Sequence, residues 1–174
     1  FIDGNWVVDV VPLNKGDILI TRIQELQKVL SKMLDRMKQD AIIAKSAVVC
    51  IITFDQFADC LMEFTDVGMI SSNIVSDIRI GRDQTNTSKG LNMALKRIEQ
   101  LSNMNYNVGN DSYRPVIIFM SDGSPTDGKQ VAQLRDEIRQ RSESGKLNVI
   151  PIGIGNDIDE RWLRSLTSES RMYH

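Results

Sequence analysis

The segment SDGSPTD, Ser121 to Asp127, sets two carboxylates and several hydroxyls behind the apolar run RPVIIFM. A carboxylate held at the end of a buried strand is costly unless something pairs with it, and a hard divalent cation is one such partner. Magnesium takes oxygens in near-octahedral array, several of them from water, so hydroxyls and carboxylates drawn from separate loops suit it. A second loop of that kind is RDQTNTSKGLNMAL, where Thr87 places a hydroxyl at the start of a helical pattern. Thr87 or Ser88 is equally well placed to cap that helix, a role worth ~1 kcal/mol. A third carboxylate, Asp9, lies within the apolar run NWVVDVV. An aspartate at a strand end also serves as phosphoryl acceptor in some enzymes, and Asp9 with Asp122 would supply the pair of carboxylates, but no catalytic signature accompanies them.

Other chemistries are excluded by composition. The only histidine is His174, the last residue, so neither a Ser-His-Asp or Cys-His catalyst nor a His-built zinc site can be assembled. Lys plus Arg number 21 against 23 for Asp plus Glu, and a net charge of -2 gives no general attraction to nucleic acid or to an anionic membrane. No apolar run reaches the ~18 residues of a membrane span, and FIDGNWVVDV lacks the basic start and cleavage site of a signal peptide. The chain opens on Phe1, so the expectation is a piece of a longer protein. GIGND, Gly153 to Asp157, fails the dinucleotide pattern GxGxxG at Ile158 and reads as a strand exit, with Asp157 and Asp159 capping the next helix.

The elements that position these residues alternate from end to end. A strand is predicted over NWVVDVV, residues 5–11, then a helix through TRIQELQKVLSKMLDRMKQD with Ile23, Leu26, Leu30, Met33, Leu34 and Met37 on one stripe. AVVCIITF and ADCLMEF read as an antiparallel pair, because the turn between them is too short for a parallel crossover. A turn at Asp55 and Gln56 would set Cys50 opposite Leu61, with the two thiols on opposite faces, which disfavours a disulfide and fits free thiols in a cytoplasmic protein. A second helix carries Leu91, Leu95, Ile98 and Leu101 in register. VIIFM, apolar throughout, predicts a strand covered on both faces. A helix ended by Gly145, the strand LNVIPIGIG and the helix ERWLRSLTSES complete the chain. The expected fold is therefore α/β: one doubly wound, Rossmann-like and mostly parallel central sheet with an antiparallel edge hairpin and helices on both faces. It is read as a single domain over residues 1–174, about 70% of whose unfolded surface is buried on folding. In such sheets ligands bind beyond the carboxyl ends of the strands, which is where SDGSPTD lies.

Together, YRPVIIFMSDGSPTD, TNTSKGLNMAL, CIITFDQFADCLMEF and NVIPIGIGNDIDERWLRSL resemble the von Willebrand factor A domain, within it the bacterial TerY-like, tellurite-resistance-associated branch. The resemblance covers nearly the whole chain and implies a metal-ion-dependent adhesion site built from DxSxS in the first loop, a Thr in the second and an Asp in the third. Carried over, the Thr is Thr87, the third-loop Asp is Asp122, and the leading Asp is Asp9, with Gly16 and Asp17 in register behind it. The two serine positions then hold Val11 and Leu13, which offer no oxygen. The alternative first loop, Asp3-Gly4-Asn5, still replaces the second serine with Val7. The resemblance thus implies a non-enzymatic domain that binds another protein at an edge formed by Asp9, Thr87, Asp122 and Ser124, with no firm cofactor and Mg²⁺ or a similar cation bound weakly or not at all. The alternatives are a functional Mg²⁺-dependent adhesion module, with Asn14 or waters replacing the serines, and an Asp-dependent phosphoryl-transfer enzyme.

Overall fold

The computed structural model describes residues 22–78, 85–103, 114–121, 124–154 and 158–167. Helix α1 (Arg22–Gln39) is followed by a short α2 (Ile43–Ser46), then by strands β1 (Val48–Phe54) and β2 (Ala58–Asp66) and two 3-10 turns, Val67–Met69 and Ser72–Asp77. Next come α3 (Thr87–Asn103), β3 (Val116–Ser121), α4 (Gly128–Glu143), β4 (Asn148–Gly153) and α5 (Glu160–Ser165).

The helical periodicities behave as their spacing predicts. On α1, Leu30 and Leu34 are buried against Ile51, Val67, Ile70, Val75 and Ile78, with Met33 and Met37 filling in beside them. On α3, Leu91 and Leu95 enter a separate core with Ile117 and Phe119 of β3, Val131, Leu134 and Ile138 of α4, Val149 of β4, and Leu163 and Leu166. Helix α4 stops where Gly145 takes φ +73°, a left-handed conformation that costs glycine little. The Lys146 N–H then bonds back to the Arg141 carbonyl at 2.9 Å, closing the helix end.

The sheet meets the expectation in part. β1 and β2 pair antiparallel, and β3 pairs parallel with β4 from Val116 opposite Asn148 to Ser121 opposite Gly153. Among the described residues these are two separate two-stranded ladders, where a single central sheet is expected. The strand predicted over residues 5–11, the remaining candidate to lie between them, falls outside the described residues. The ladders nevertheless meet at their ends, where the rings of Phe54 and Phe119 stack with centroids 5.5 Å apart.

Two further expectations need correction. Among the described residues β3 is covered on one face: Ile117 and Phe119 are buried, whereas Val116 is 49% and Ile118 37% exposed. Apolar composition alone cannot distinguish a strand buried on both faces from one whose outer face is open. The cysteine register is also different. The hairpin turns over three residues, Phe54 opposite Ala58, and the pairing slips twice between Val49 and Ile52. The three-residue turn sets Cys60 opposite Ile52, two positions from Cys50 on β1, and so brings the two cysteines to the same face, with Sγ atoms 3.7 Å apart and both thiols free.

Phe54 packs across the start of α3 at Gly90, where an added Cβ would sit 2.8 Å from the ring atoms Cδ1 and Cγ. Gly90→Ala is therefore expected to destabilise by about 2 kcal/mol, since the ring is held from the other side by Phe119 and overpacking forces it to shift. Chemical denaturation reads this directly, and an unchanged midpoint would mean that the ring moves aside freely.

Candidate functional site

The loops that follow β1, β3 and β4 meet around the first turn of α3. From the hairpin turn, the Asp55 carbonyl accepts the Asn86 N–H at 2.8 Å. Lys89 Nζ donates to the Gln56 carbonyl at 2.8 Å and lies 5.2 Å from the centre of the Phe57 ring, which is exposed. From the loop after β3, the Thr126 N–H and hydroxyl both reach the Thr85 carbonyl, at 3.0 and 3.1 Å. Asp127 extends the same connection: its Oδ2 accepts the Ser88 N–H at 2.7 Å. Although Asp127 stands at the N-cap of α4 and its carbonyl accepts from Gln130 and Val131, its side chain makes no bond to that helix. It caps α3 instead.

The loops after β3 and β4 are joined by Ser124, whose hydroxyl donates to Asp159 Oδ2 at 2.7 Å. The other oxygen of Asp159 accepts the Trp162 N–H at 3.0 Å and so caps α5, as its position in the sequence predicts. These two donors, the Trp162 amide first and the Ser124 hydroxyl second, hold the Asp159 carboxyl below its ordinary range.

Thr87 is the residue that this framework leaves over. It is fully buried, at 0% exposure, and its Oγ1 has no hydrogen-bond partner. Capping does not account for it. The orphan amides at the start of α3 are taken by Asp127, on Ser88, and by Asn86, whose Oδ1 accepts from Lys89 N and from the Ser88 hydroxyl. Asp127 Oδ1 is likewise buried without a partner. Buried polar atoms are normally satisfied, so these two oxygens, at the starts of α3 and α4, have capacity for a ligand or a water, as does the buried Trp162 Nε1.

Of the sequence-predicted residues, Thr87 and Ser124 are thus placed at one edge, beyond the ends of β1, β3 and β4. Asp9, Val11, Leu13, Asp122, Asp157 and the alternative Asp3 lie outside the described residues. Among the described residues no group of three or more His, Cys, Asp or Glu side chains could hold a metal. The orphan Thr87 hydroxyl does fit a hard cation, which accepts neutral oxygen donors. Asp127 is the residue that sequence reasoning passed over. An Asp one position before a helix looks like that helix's own cap, and the partner it takes is 39 residues away.

In an α/β unit of this kind, strand-end loops that converge at one edge are where ligands bind. The chain belongs to the von Willebrand factor type A domain family, whose sequence profile matches residues 17–174. Such domains are in general protein-interaction and adhesion modules. No curated protein matches the chain in sequence. Among solved structures it is similar to proximal thread matrix protein 1 from the mussel byssus, with 16% identity and a TM-score of 0.65 over 88% of this chain. It spans only 38% of that protein's length, and the likeness is one of fold. An uncharacterized membrane spanning protein from Vibrio fischeri also matches, at 16% identity over 88% of this chain and 77% of that one, with a TM-score of 0.40. Among the described residues no helix is long and apolar enough to cross a membrane.

Proposed function

We propose that this domain is a non-enzymatic protein-binding module of the bacterial tellurite-resistance-associated type, engaging its partner at the edge formed by Thr87, Ser124, Asp122 and Asp9. The observation that carries this reading is the buried Thr87 hydroxyl without a partner, at a helix start whose caps come from elsewhere. A protein does not ordinarily leave a buried hydroxyl unpaired, because the loss of its hydration is then uncompensated. A ligand at this edge supplies the missing bond.

Asp9, Thr87 and Asp122 would hold a divalent cation, and the chemistry such an ion supplies is attraction for a partner's carboxylate. Val11 and Leu13 at the serine positions argue that the ion is held weakly, since missing ligands cost at least the 10- to 100-fold that outer-shell losses do. The orphan hydroxyl itself favours a second reading, a working Mg²⁺-dependent module in which waters stand in for the serines. One experiment separates the two: partner retention on the immobilised domain, with Mg²⁺ or with chelator, for the wild type and Asp122→Ala. Retention that survives chelator and falls with Asp122→Ala supports the proposal. Retention abolished by chelator supports the second reading, and retention indifferent to both places the interface elsewhere.

A further inference from the structure

The two cysteines of the chain stand outside the binding edge and are given no role by it. We infer that Cys50 and Cys60 form a dithiol modification site, closed to an intramolecular disulfide by a small organic disulfide of the glutathione class. The geometry comes from the register that the three-residue turn of the hairpin sets. Ile52 pairs with Cys60 and Ile51 with Met62, so Cys60 is the same-face diagonal neighbour of Cys50, and the sulfurs are 3.7 Å apart. A covalent bond needs about 2.05 Å between them, so closure combines rotation of the two half-buried side chains with a small approach of the strands at this diagonal pair. Among these 174 residues there are two cysteines, so no third thiol of this domain competes.

The reaction balances in two exchange steps. The Cys60 thiolate attacks one sulfur of the small disulfide, forming a mixed disulfide and releasing one thiol. Cys50, deprotonated, then attacks the Cys60 sulfur, forming the Cys50–Cys60 bond and expelling the second thiol. Both cysteines are oxidised, the small disulfide is reduced to two thiols, and the two protons leave with them.

The closing step is set by Cys50. Burial first, and then its contact with Cys60, push the Cys50 thiol up to about 12. The charges acting on it are Glu63 of β2, which raises it further, and Arg97 of α3, which lowers it, and these two are paired at 2.7 Å. The contributions of Cys60 vanish once its sulfur is in the mixed disulfide, while burial and Glu63 still oppose ionisation, so closure quickens as pH rises and Cys50 loses its proton.

The test incubates the native chain with excess oxidised glutathione across neutral to mildly alkaline pH and maps the products by intact mass and non-reducing peptide digestion. The expected product is a monomer lighter by two hydrogens, with the Cys50 and Cys60 peptides linked, reversed by dithiothreitol and formed faster as pH rises. Cys50→Ser should stop at the glutathione adduct on Cys60. A wild type that ends as a stable glutathione adduct, an intermolecular dimer or unreacted thiols would overturn the inference. If the serine variant does not fold, the wild-type peptide map decides alone.

Discussion

Thr87→Val will weaken partner retention by about ten- to a hundredfold while leaving the folded domain as stable as before or slightly more so. The two halves of this result have separate causes. Valine replaces the hydroxyl with a methyl of the same shape, and both residues are β-branched, so packing and helix preference at the first position of α3 change little. Because Oγ1 is buried and makes no hydrogen bond, its removal takes away a desolvated group whose burial nothing offsets. In the unliganded domain that change is neutral or favourable by up to about 1 kcal/mol. On the proposed reading the same hydroxyl supplies a bond that the ligand completes, so in the complex its loss is felt in full. Thermal unfolding of the free domain and retention of the partner isolated with the wild type measure the two halves. A variant that unfolds ~1 kcal/mol earlier and binds normally would make Thr87 a structural residue and remove the main support for this edge.

The features legible in the sequence are those set by local spacing. The stripe from Ile23 to Met37 and the run from Leu91 to Leu95 form helices because their apolar residues recur at helical intervals, and both enter cores on the faces so defined. The hairpin was legible for a similar reason, since a short turn permits only antiparallel pairing. Its register was not. A turn of three residues instead of two leaves no mark in composition, yet it shifts the register by one and puts Cys60 on the face that Cys50 occupies. Likewise VIIFM specifies a strand but not which elements cover it, and among the described residues Val116 and Ile118 are exposed. At the binding edge, Thr87 could be recognised as a hydroxyl at a helix start, but local spacing assigns it to capping. That it is instead left without a partner depends on Asp127, which arrives from the far end of β3. Asp9 and Asp122 lie outside the described residues, so their part in the edge rests on the family resemblance.

Asp127→Ala should therefore damage both stability and binding, in contrast to Thr87→Val. The Ser88 amide that Asp127 accepts is one of the helix-start donors without an intrahelical partner, and Ser88 is buried. Removing the acceptor leaves that donor unsatisfied, at about 2 kcal/mol, the upper range for the loss of a helix cap. The bond is also the deepest tie between the loop after β3 and the start of α3. Without it those loops are joined by the Thr126 bonds to the Thr85 carbonyl alone, among the contacts described. Both oxygens left unpartnered at this edge depend on that tie for their position, so partner retention should fall by at least about tenfold, as it does when groups that orient a binding site are lost. Asp127→Asn is the informative companion. Its amide oxygen can still accept from Ser88, but a neutral acceptor forms a hydrogen bond about half as strong as a carboxylate does. It also puts an amide nitrogen where Oδ1 is now buried. Asparagine should thus recover roughly half of the lost stability. Its effect on retention identifies the ligand's chemistry: a cation or hydrogen-bond donor facing Oδ1 is rejected by the amide, whereas a site needing only the loop tie regains binding in step with stability. Denaturant midpoints for the alanine and asparagine variants, read beside partner retention, test the assignment. If alanine costs under about 0.5 kcal/mol, the 2.7 Å bond is not what holds the edge together.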